Sequence, residues 1–172
     1  IRYYSFYCWF FHCYAKYISK PSKKEQFDHL RRAEFILSLL AAKTGVQGIG
    51  GITKALELYN TSQNAFDLTI GTGEEKQAKD GTYWKNPRGI FGQNYVSSLK
   101  QLNLIREYEL NSEFFIRTEF EIENKISGYQ LAIAFEENLG LEITQLFVEI
   151  MKKGIITQSE IDKLIEPFNM LK

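Results

Sequence analysis

The chain has 172 residues, of which 44% are apolar and 24% are charged, and its formal net charge is zero. This composition is typical of a globular domain, and it excludes a chain that is disordered throughout. No apolar run reaches the roughly eighteen residues of a transmembrane helix, so we expect no membrane association.

The start of the sequence and its two cysteines give further expectations. The chain begins with Ile1 rather than Met, which predicts that sequence is missing upstream, and its apolar opening lacks the ending of a signal peptide. Cys8 and Cys13 make no disulfide framework. We therefore expect a reducing, cytoplasmic compartment.

Charge is distributed unevenly along the chain. Residues 1–60 carry nine Lys or Arg and four acids, whereas residues 111–172 carry six bases and eleven acids. Such asymmetry indicates a basic face for a polyanion, with DNA as a candidate, and an acidic C-terminal half for a protein partner. The alternative is two solvated surfaces that differ in charge.

The opening residues 1–19 are dominated by aromatic side chains, which make up nine of the first seventeen residues. Several recur at helical spacing, namely Tyr3, Tyr7, Phe10, Tyr14 and Tyr17. This pattern predicts a helix that is buried on most of its surface, and the alternative is a stacking platform for nucleic-acid bases.

Two further helices and a long insertion follow. A helix from Ser22 to Lys43 is predicted, with the Ser22 hydroxyl and Glu25 forming a capping box. The glycine-rich residues 44–51 lack the Gly-Lys-Ser/Thr ending of a phosphate loop, so they indicate a connection to a third helix over 52–59. Residues 60–86 are loop-like and are predicted to be an insertion.

Within this insertion we expect a short strand over 66–70, and residues 71–82 should be the most mobile internal segment. A helix over 91–103 then leads into two strands, Ile105–Leu110 and Phe114–Phe120, separated by a turn.

The C-terminal part is predicted to be helical. The expected helices are Ser127–Leu139, Glu142–Lys153 and a last helix opened by a Thr157–Glu160 capping box. The expected core combines apolar positions from most of these helices: Tyr7, Phe10, Tyr14, Phe35, Leu39, Leu99, Leu131 and Phe135.

No catalytic or metal-binding pattern stands out. Cys8 and His12 are four residues apart, but His29 is the only other histidine and no CxxC occurs, so a structural zinc site lacks its four ligands. Three acids share one predicted strand face, where a solvated edge is favoured over a cation site: Glu119, Glu121 and Glu123. We predict no catalytic residue, no metal and no cofactor.

A helix ending in "LKQLNLI" and followed by a hairpin resembles the recognition helix and wing of a winged helix-turn-helix domain. The resemblance covers about residues 28–139 and implies a mainly α (α+β) fold with a small antiparallel hairpin. It also implies DNA contact through the third helix, with exposed side chains at Gln93, Asn94, Ser97, Lys100 and Gln101. The basic residues Lys23, Lys24, Arg31 and Arg32 complete the predicted nucleic-acid site.

The implied organisation is an aromatic N-terminal helix (1–27), the winged-helix-like domain (28–139) with its insertion at 60–86, and a C-terminal helical pair (140–172). Two features depart from the family pattern: the long insertion between the second and third helices, and an acidic wing.

The segments "RYYSFYCW", "RRAEF" and "IFGQNY…LKQLNLI" are also similar to bacterial proteins associated with phage defence and mobile elements. The sequence therefore predicts a non-catalytic nucleic-acid-binding module of a bacterial, phage-defence type of protein. The alternatives are an adaptor domain that mediates protein assembly, and a fragment of an enzyme whose active site lies upstream.

Overall fold

A computed structural model describes residues 2–18, 22–61, 63–72, 86–110, 113–118, 120 and 125–169. The described chain is mainly helical with small antiparallel sheets, which confirms the predicted fold class. The helices are α1 Arg2–Tyr17, α2 Lys23–Thr44, α3 Ile52–Tyr59, α4 Leu68–Thr72, a π-helical segment Phe91–Tyr95, α5 Val96–Gln101, α6 Gly128–Leu139, α7 Leu141–Lys153 and α8 Gln158–Ile165. The strands are β1 Ala65–Asp67, β2 Arg106–Leu110, β3 Glu113–Arg117 and β4 Ile155–Thr157. The segment expected to be mobile, 71–82, lies outside the described residues beyond Thr72.

The aromatic helix α1 is at the centre of the core. Its six consecutive residues from Phe6 to Phe11 are each at most 1% exposed. Consecutive helical residues point in all directions around the axis, so this stretch is enclosed on every side. The prediction of a largely buried helix is confirmed, and these rings are inaccessible to nucleic-acid bases.

Rings from distant parts of the chain surround α1. The Trp9 ring contacts those of Phe135, Phe147 and Phe168 at centroid distances of 5.5, 5.2 and 5.6 Å. Such pairs add to the free energy gained by burying the apolar surface. The C-terminal helices therefore share one core with α1.

Local capping signals fix several helix ends as predicted. The Ser22 hydroxyl accepts a hydrogen bond from Glu25 N, which is one half of the capping box predicted there, and Thr157 and Glu160 form a complete capping box. Gly45 and Gly154 end α2 and α7 in the left-handed conformation, which L side chains rarely adopt. Short-range sequence rules were sufficient here because both partners lie within one turn.

The three-residue strand β1 pairs with β4, which joins the middle of the chain to its C-terminal helices. The predicted strand over 66–70 is right only for its first two residues, and β4 was not predicted. After Asp67 the chain turns into α4, and the Asp67 carboxylate accepts hydrogen bonds from the backbone N–H and hydroxyl of Thr69 in the first turn of that helix.

The β2–β3 hairpin is held against α2 by a buried amide. Gln26, which is almost fully buried, donates through Nε2 to Ile116 O at 3.0 Å and accepts from Ile116 N at 2.9 Å. The side chain thus satisfies both backbone groups of a β3 residue, as a neighbouring strand would. The hairpin itself confirms the predicted strands with boundaries shifted by one to three residues.

Two of the predicted core residues are only half-buried. Leu131 and Phe135 pack against the core from its edge, whereas Tyr7, Phe10, Tyr14, Phe35, Leu39 and Leu99 are buried as expected. The prediction for Leu131 and Phe135 was wrong in degree because α6 covers α1 with one face and borders an open cavity beside Pro167 with its flank. Removing the Phe135 ring should therefore cost less than removing a fully enclosed ring.

Replacing Gln26 by Ala should destabilise the protein by about 1–3 kcal/mol, since it leaves the buried N–H and C=O of Ile116 without partners. Urea denaturation would measure the change in the free energy of unfolding. The control is Gln47→Ala, an exposed glutamine whose removal should be nearly neutral. Equal effects of the two substitutions would contradict the role given to Gln26.

Candidate nucleic-acid interface

A turn at Asn86-Pro87-Arg88 precedes the helical stretch that carries the predicted contact residues. The Asn86 side-chain oxygen accepts a hydrogen bond from Arg88 N at 2.8 Å, and Pro87 follows at a position that needs no N–H. Gly89 then has a positive φ of 62°, so the chain changes direction before Ile90. This turn places the next two backbone N–H groups against α2.

A buried carboxyl group on α2 receives those N–H groups. Glu34 Oε1 accepts from Phe91 N at 2.7 Å and from the Tyr7 hydroxyl at 2.9 Å, while Oε2 accepts from Ile90 N at 3.0 Å. A Cβ atom on Gly89 would lie 2.0 Å from Glu34 Oε2, so the close approach requires glycine. The Glu34 side chain thus connects α1 and α2 to the start of the helical stretch Phe91–Gln101.

Burial raises the pKa of Glu34 to about 8, although the hydrogen bonds from Phe91, Tyr7 and Ile90 each favour the ionised form. Desolvation dominates because no water reaches the group. Burial likewise raises the pKa of the Tyr7 hydroxyl, and the adjacent Glu34 charge raises it further. The carboxyl group therefore holds its proton at pH values where an ordinary glutamate is ionised.

The first turn after this junction is π-helical. The Val96 N–H donates to Phe91 O, five residues back, and the wider turn spans Phe91–Tyr95. Phe91 and Leu99 are fully buried and anchor the stretch to the core. Single π-turns are uncommon and occur frequently at functional sites. The predicted continuous α-helix over 91–103 is therefore corrected to a π-turn followed by the short helix α5.

The structure places all five side chains predicted on this helix at the surface: Gln93, Asn94, Ser97, Lys100 and Gln101. We call these five residues the polar face. Among the residues that the structure describes, neither the Gln93 nor the Asn94 amide has a hydrogen-bond partner. Their donors and acceptors are available to a ligand.

Three cations, Lys23, Arg88 and Lys100, act electrostatically on the Glu107 carboxylate. The Lys100 ammonium lies 2.8 Å from Glu107 Oε1 on β2, and this hydrogen bond is the main reason why the pKa of Glu107 is lowered. The charges of Arg88 and Lys23 lower it further, so both lie close enough to act on the same carboxylate. We call Lys23, Arg88 and Lys100 the basic cluster.

Sequence reasoning had included Lys23 and Lys100 but had not placed Arg88 in the site. The feature of the sequence that could have identified Arg88 is its position between Asn86-Pro87 and Gly89, directly before the predicted contact residues. The Arg88 guanidinium also lies over the Phe27 ring, 5.2 Å from its centroid, which attaches it to α2.

The other predicted cations contact partners within the fold. Lys24 and Arg31 both pair with Asp28, and the Arg31 side chain is only 12% exposed. Arg32 donates to the carbonyl oxygens of Met151 and Lys152 at 3.0 and 3.2 Å, where the charge suits the C-terminal end of α7. The structure thus directs Arg32 to α7 rather than to the polar face.

Comparison of the chain with protein-family models, curated proteins and solved structures finds no match. Within the described residues, no His, Cys, Asp or Glu side chains form a group of three or more that could hold a metal ion. No helix in the described part of the chain has the length and apolarity needed to cross a bilayer.

Raising the pH should destabilise the protein through Glu34. The folded state keeps this proton up to about pH 8 and the unfolded state loses it near pH 4.5, so the folded state binds more protons in between. The free energy of unfolding should fall by up to about 1.4 kcal/mol per pH unit across that window.

His29 acts in the opposite direction, because burial and the charges of Arg32 and Lys152 lower its pKa to about 4. The contribution of His29 to the free energy of unfolding grows as pH rises from about 4 to 6.5. Below pH 6.5 the effects of Glu34 and His29 therefore oppose each other, and the loss of stability due to Glu34 should be clearest from pH 6.5 to 8. Urea denaturation at several pH values from 6.5 to 8 would show that the free energy of unfolding falls with pH in the native protein. In Glu34→Gln this dependence on pH should be absent. The control Glu57→Gln, which changes an exposed glutamate, should keep the dependence of stability on pH. Parallel pH profiles of stability for the native protein and Glu34→Gln would contradict the role given to Glu34.

Gly89→Ala should be more destabilising than Gly45→Ala. Both positions have positive φ, so each substitution costs about 1–2 kcal/mol in backbone strain. A Cβ on Gly45 meets nothing within 4 Å, whereas one on Gly89 collides with the Glu34 carboxyl group. Denaturant unfolding of the two variants measures the difference in the free energy of unfolding. Equal losses of stability would contradict the close contact between Gly89 and the Glu34 carboxyl group.

Proposed function

We propose that the chain is a non-catalytic nucleic-acid-binding module that contacts DNA through the polar face. The observation that supports this most directly is the exposed Lys100 ammonium, 2.8 Å from Glu107 Oε1, next to the exposed Gln93 and Asn94 amides that have no partner among the described residues. Cations of this kind neutralise phosphates, and Gln or Asn amides can hydrogen-bond to adenine edges.

The order of the elements also supports a winged-helix type of binding. α2, α3 and the Phe91–Gln101 stretch precede the β2–β3 hairpin, and α6 follows it. Glu107, which contributes to the acidic character of the wing, is paired with Lys100 rather than left as an isolated negative charge. The winged-helix assignment, the phage-defence context and the cytoplasmic location remain predictions.

The ion pair within the site limits the expected affinity. Glu107 competes with a phosphate for Lys100, so binding must displace or reorient this pair. Exposed pairs of this kind are worth at most about 1 kcal/mol, and a polyanion can therefore replace the carboxylate. We expect binding that is modest and strongly dependent on salt.

Lys100→Glu should weaken binding to a DNA duplex and reduce the slope of log K against log salt by about one unit, since it removes one phosphate contact. Fluorescence anisotropy at several low salt concentrations would measure both quantities. The matched control is Lys54→Glu, because the half-exposed Lys54 is also paired with a glutamate, Glu57, at 2.9 Å. Equal effects of the two variants, or no binding by the native chain, would overturn the proposal.

Gln93→Ala and Asn94→Ala should change sequence preference rather than general affinity. A bidentate contact to a base is worth about 1–3 kcal/mol of discrimination against the wrong base. Binding selection from a randomised duplex pool, read for the native chain and both variants, would detect the change. An unchanged preference in both variants would limit the polar face to backbone contact.

A protein-adaptor function is the second candidate, and one observation favours it. Leu102 and Ile126 are 57% and 67% exposed although both are apolar, and Leu102 directly follows the polar face. Light scattering after size-exclusion chromatography, compared between the native chain and Leu102→Ser, would detect self-association through this residue. Loss of an oligomer in the variant, together with no DNA binding by the native chain, would favour the adaptor.

A further inference from the structure

Two arginines lie directly opposite each other on the β2–β3 hairpin. Arg106 and Arg117 are paired residues in the antiparallel register, so their side chains leave the same face of the sheet. Like charges in this position repel and destabilise a hairpin. Among the residues that the structure describes, no carboxylate forms an ion pair with either guanidinium.

Aromatic rings hold both guanidinium groups in place. The Arg106 Cζ atom lies 4.2 Å from the centroid of the Phe120 ring, and the Arg117 Cζ atom lies 5.4 Å from that of Tyr108. A ring interacts with the face of a guanidinium, which leaves the N–H groups along its edge free to donate. The N–H groups of both guanidinium groups are therefore held in place and remain free to donate hydrogen bonds.

The same residues line a cavity of about 300 Å³. Its lining comprises Arg106, Tyr108, Arg117, Phe120 and Glu107, and the Glu107 carboxylate is bound to Lys100. Tyr108 is 53% exposed, so part of its apolar surface is available beside the guanidinium groups. This volume is at the lower end of the range for small-molecule sites.

From this arrangement we infer that the cavity, which we call the hairpin site, binds a phosphomonoester attached to an aromatic nucleoside. Two guanidinium groups match the charge of about −1.5 to −2 on such a phosphate and offer bidentate hydrogen bonds to its oxygens. The base contacts the exposed Tyr108 ring, because aromatic side chains stack on bases without regard to sequence. The repulsion between the arginines is then relieved by the bound anion.

The hairpin site does not depend on the polar face or on duplex binding. The two arginines that carry the inference belong to neither the polar face nor the basic cluster, although Glu107 in the cavity lining pairs with Lys100 of the polar face. The same chemistry occurs in a free nucleotide and in the 5′-phosphorylated end of a single strand. Variants at the two arginines therefore test the hairpin site and leave the polar face intact.

Isothermal titration calorimetry on the full chain, with adenosine 5′-monophosphate and adenosine as paired probes, tests the inference. The monophosphate should bind and adenosine should bind far more weakly. Arg106→Ala and Arg117→Ala should each weaken monophosphate binding about ten-fold or more, since each removes charge-assisted hydrogen bonds. Lys54→Ala should leave it unchanged.

Two pentathymidylates, one with a 5′-phosphate and one with a 5′-hydroxyl, distinguish the sources. Tighter binding of the phosphorylated strand than of the free nucleotide identifies a strand end, whereas tighter binding of the free nucleotide identifies a nucleotide ligand. Should Arg106→Ala fail to fold, Arg106→Lys keeps the charge but loses the planar fork and should still weaken binding. Equal binding of adenosine and its monophosphate, or native affinity in the arginine variants, would overturn the inference.

Discussion

The buried carboxyl group of Glu34 is the interaction on which the arrangement of the other elements depends. It accepts hydrogen bonds from the Tyr7 hydroxyl on α1 and from the first backbone N–H groups of the Phe91–Gln101 stretch. Without it, these donors would be buried and unpaired at the place where three segments meet. Because Glu34 is itself on the long helix α2, the surface position of the polar face is set by a group in the interior.

The sequence predicted those parts of the fold that depend on short-range patterns. Ser22 and Thr157 cap helices within a single turn, and the spacing of Tyr7, Phe10 and Tyr14 showed that α1 is buried. The roles of Gln26 and Glu34 could not be predicted, because each looks like an ordinary polar residue on an amphipathic helix. Their partners lie 90 and 57 residues away, and no local rule connects them.

The site shows the same division between local and distant information. The exposure of the five polar-face residues followed from helical spacing, and this part of the prediction agrees with the structure. The hairpin looked acidic in the linear sequence, which does not show that the strand register places Arg106 directly opposite Arg117 on one face. The contribution of Arg88 depended on a turn at Gly89 whose geometry is determined by Glu34.

The enclosure of α1 has a consequence for synthesis of the protein. The rings that cover Trp9 belong to residues 135, 147 and 168, so α1 leaves the ribosome more than a hundred residues before its cover exists. At about 5–20 residues per second this delay lasts several seconds or longer, during which the most aromatic segment of the chain is exposed. Newly made chains therefore present a hydrophobic surface that chaperones can bind, and a chain interrupted before Phe135 would lack all three of these covering rings.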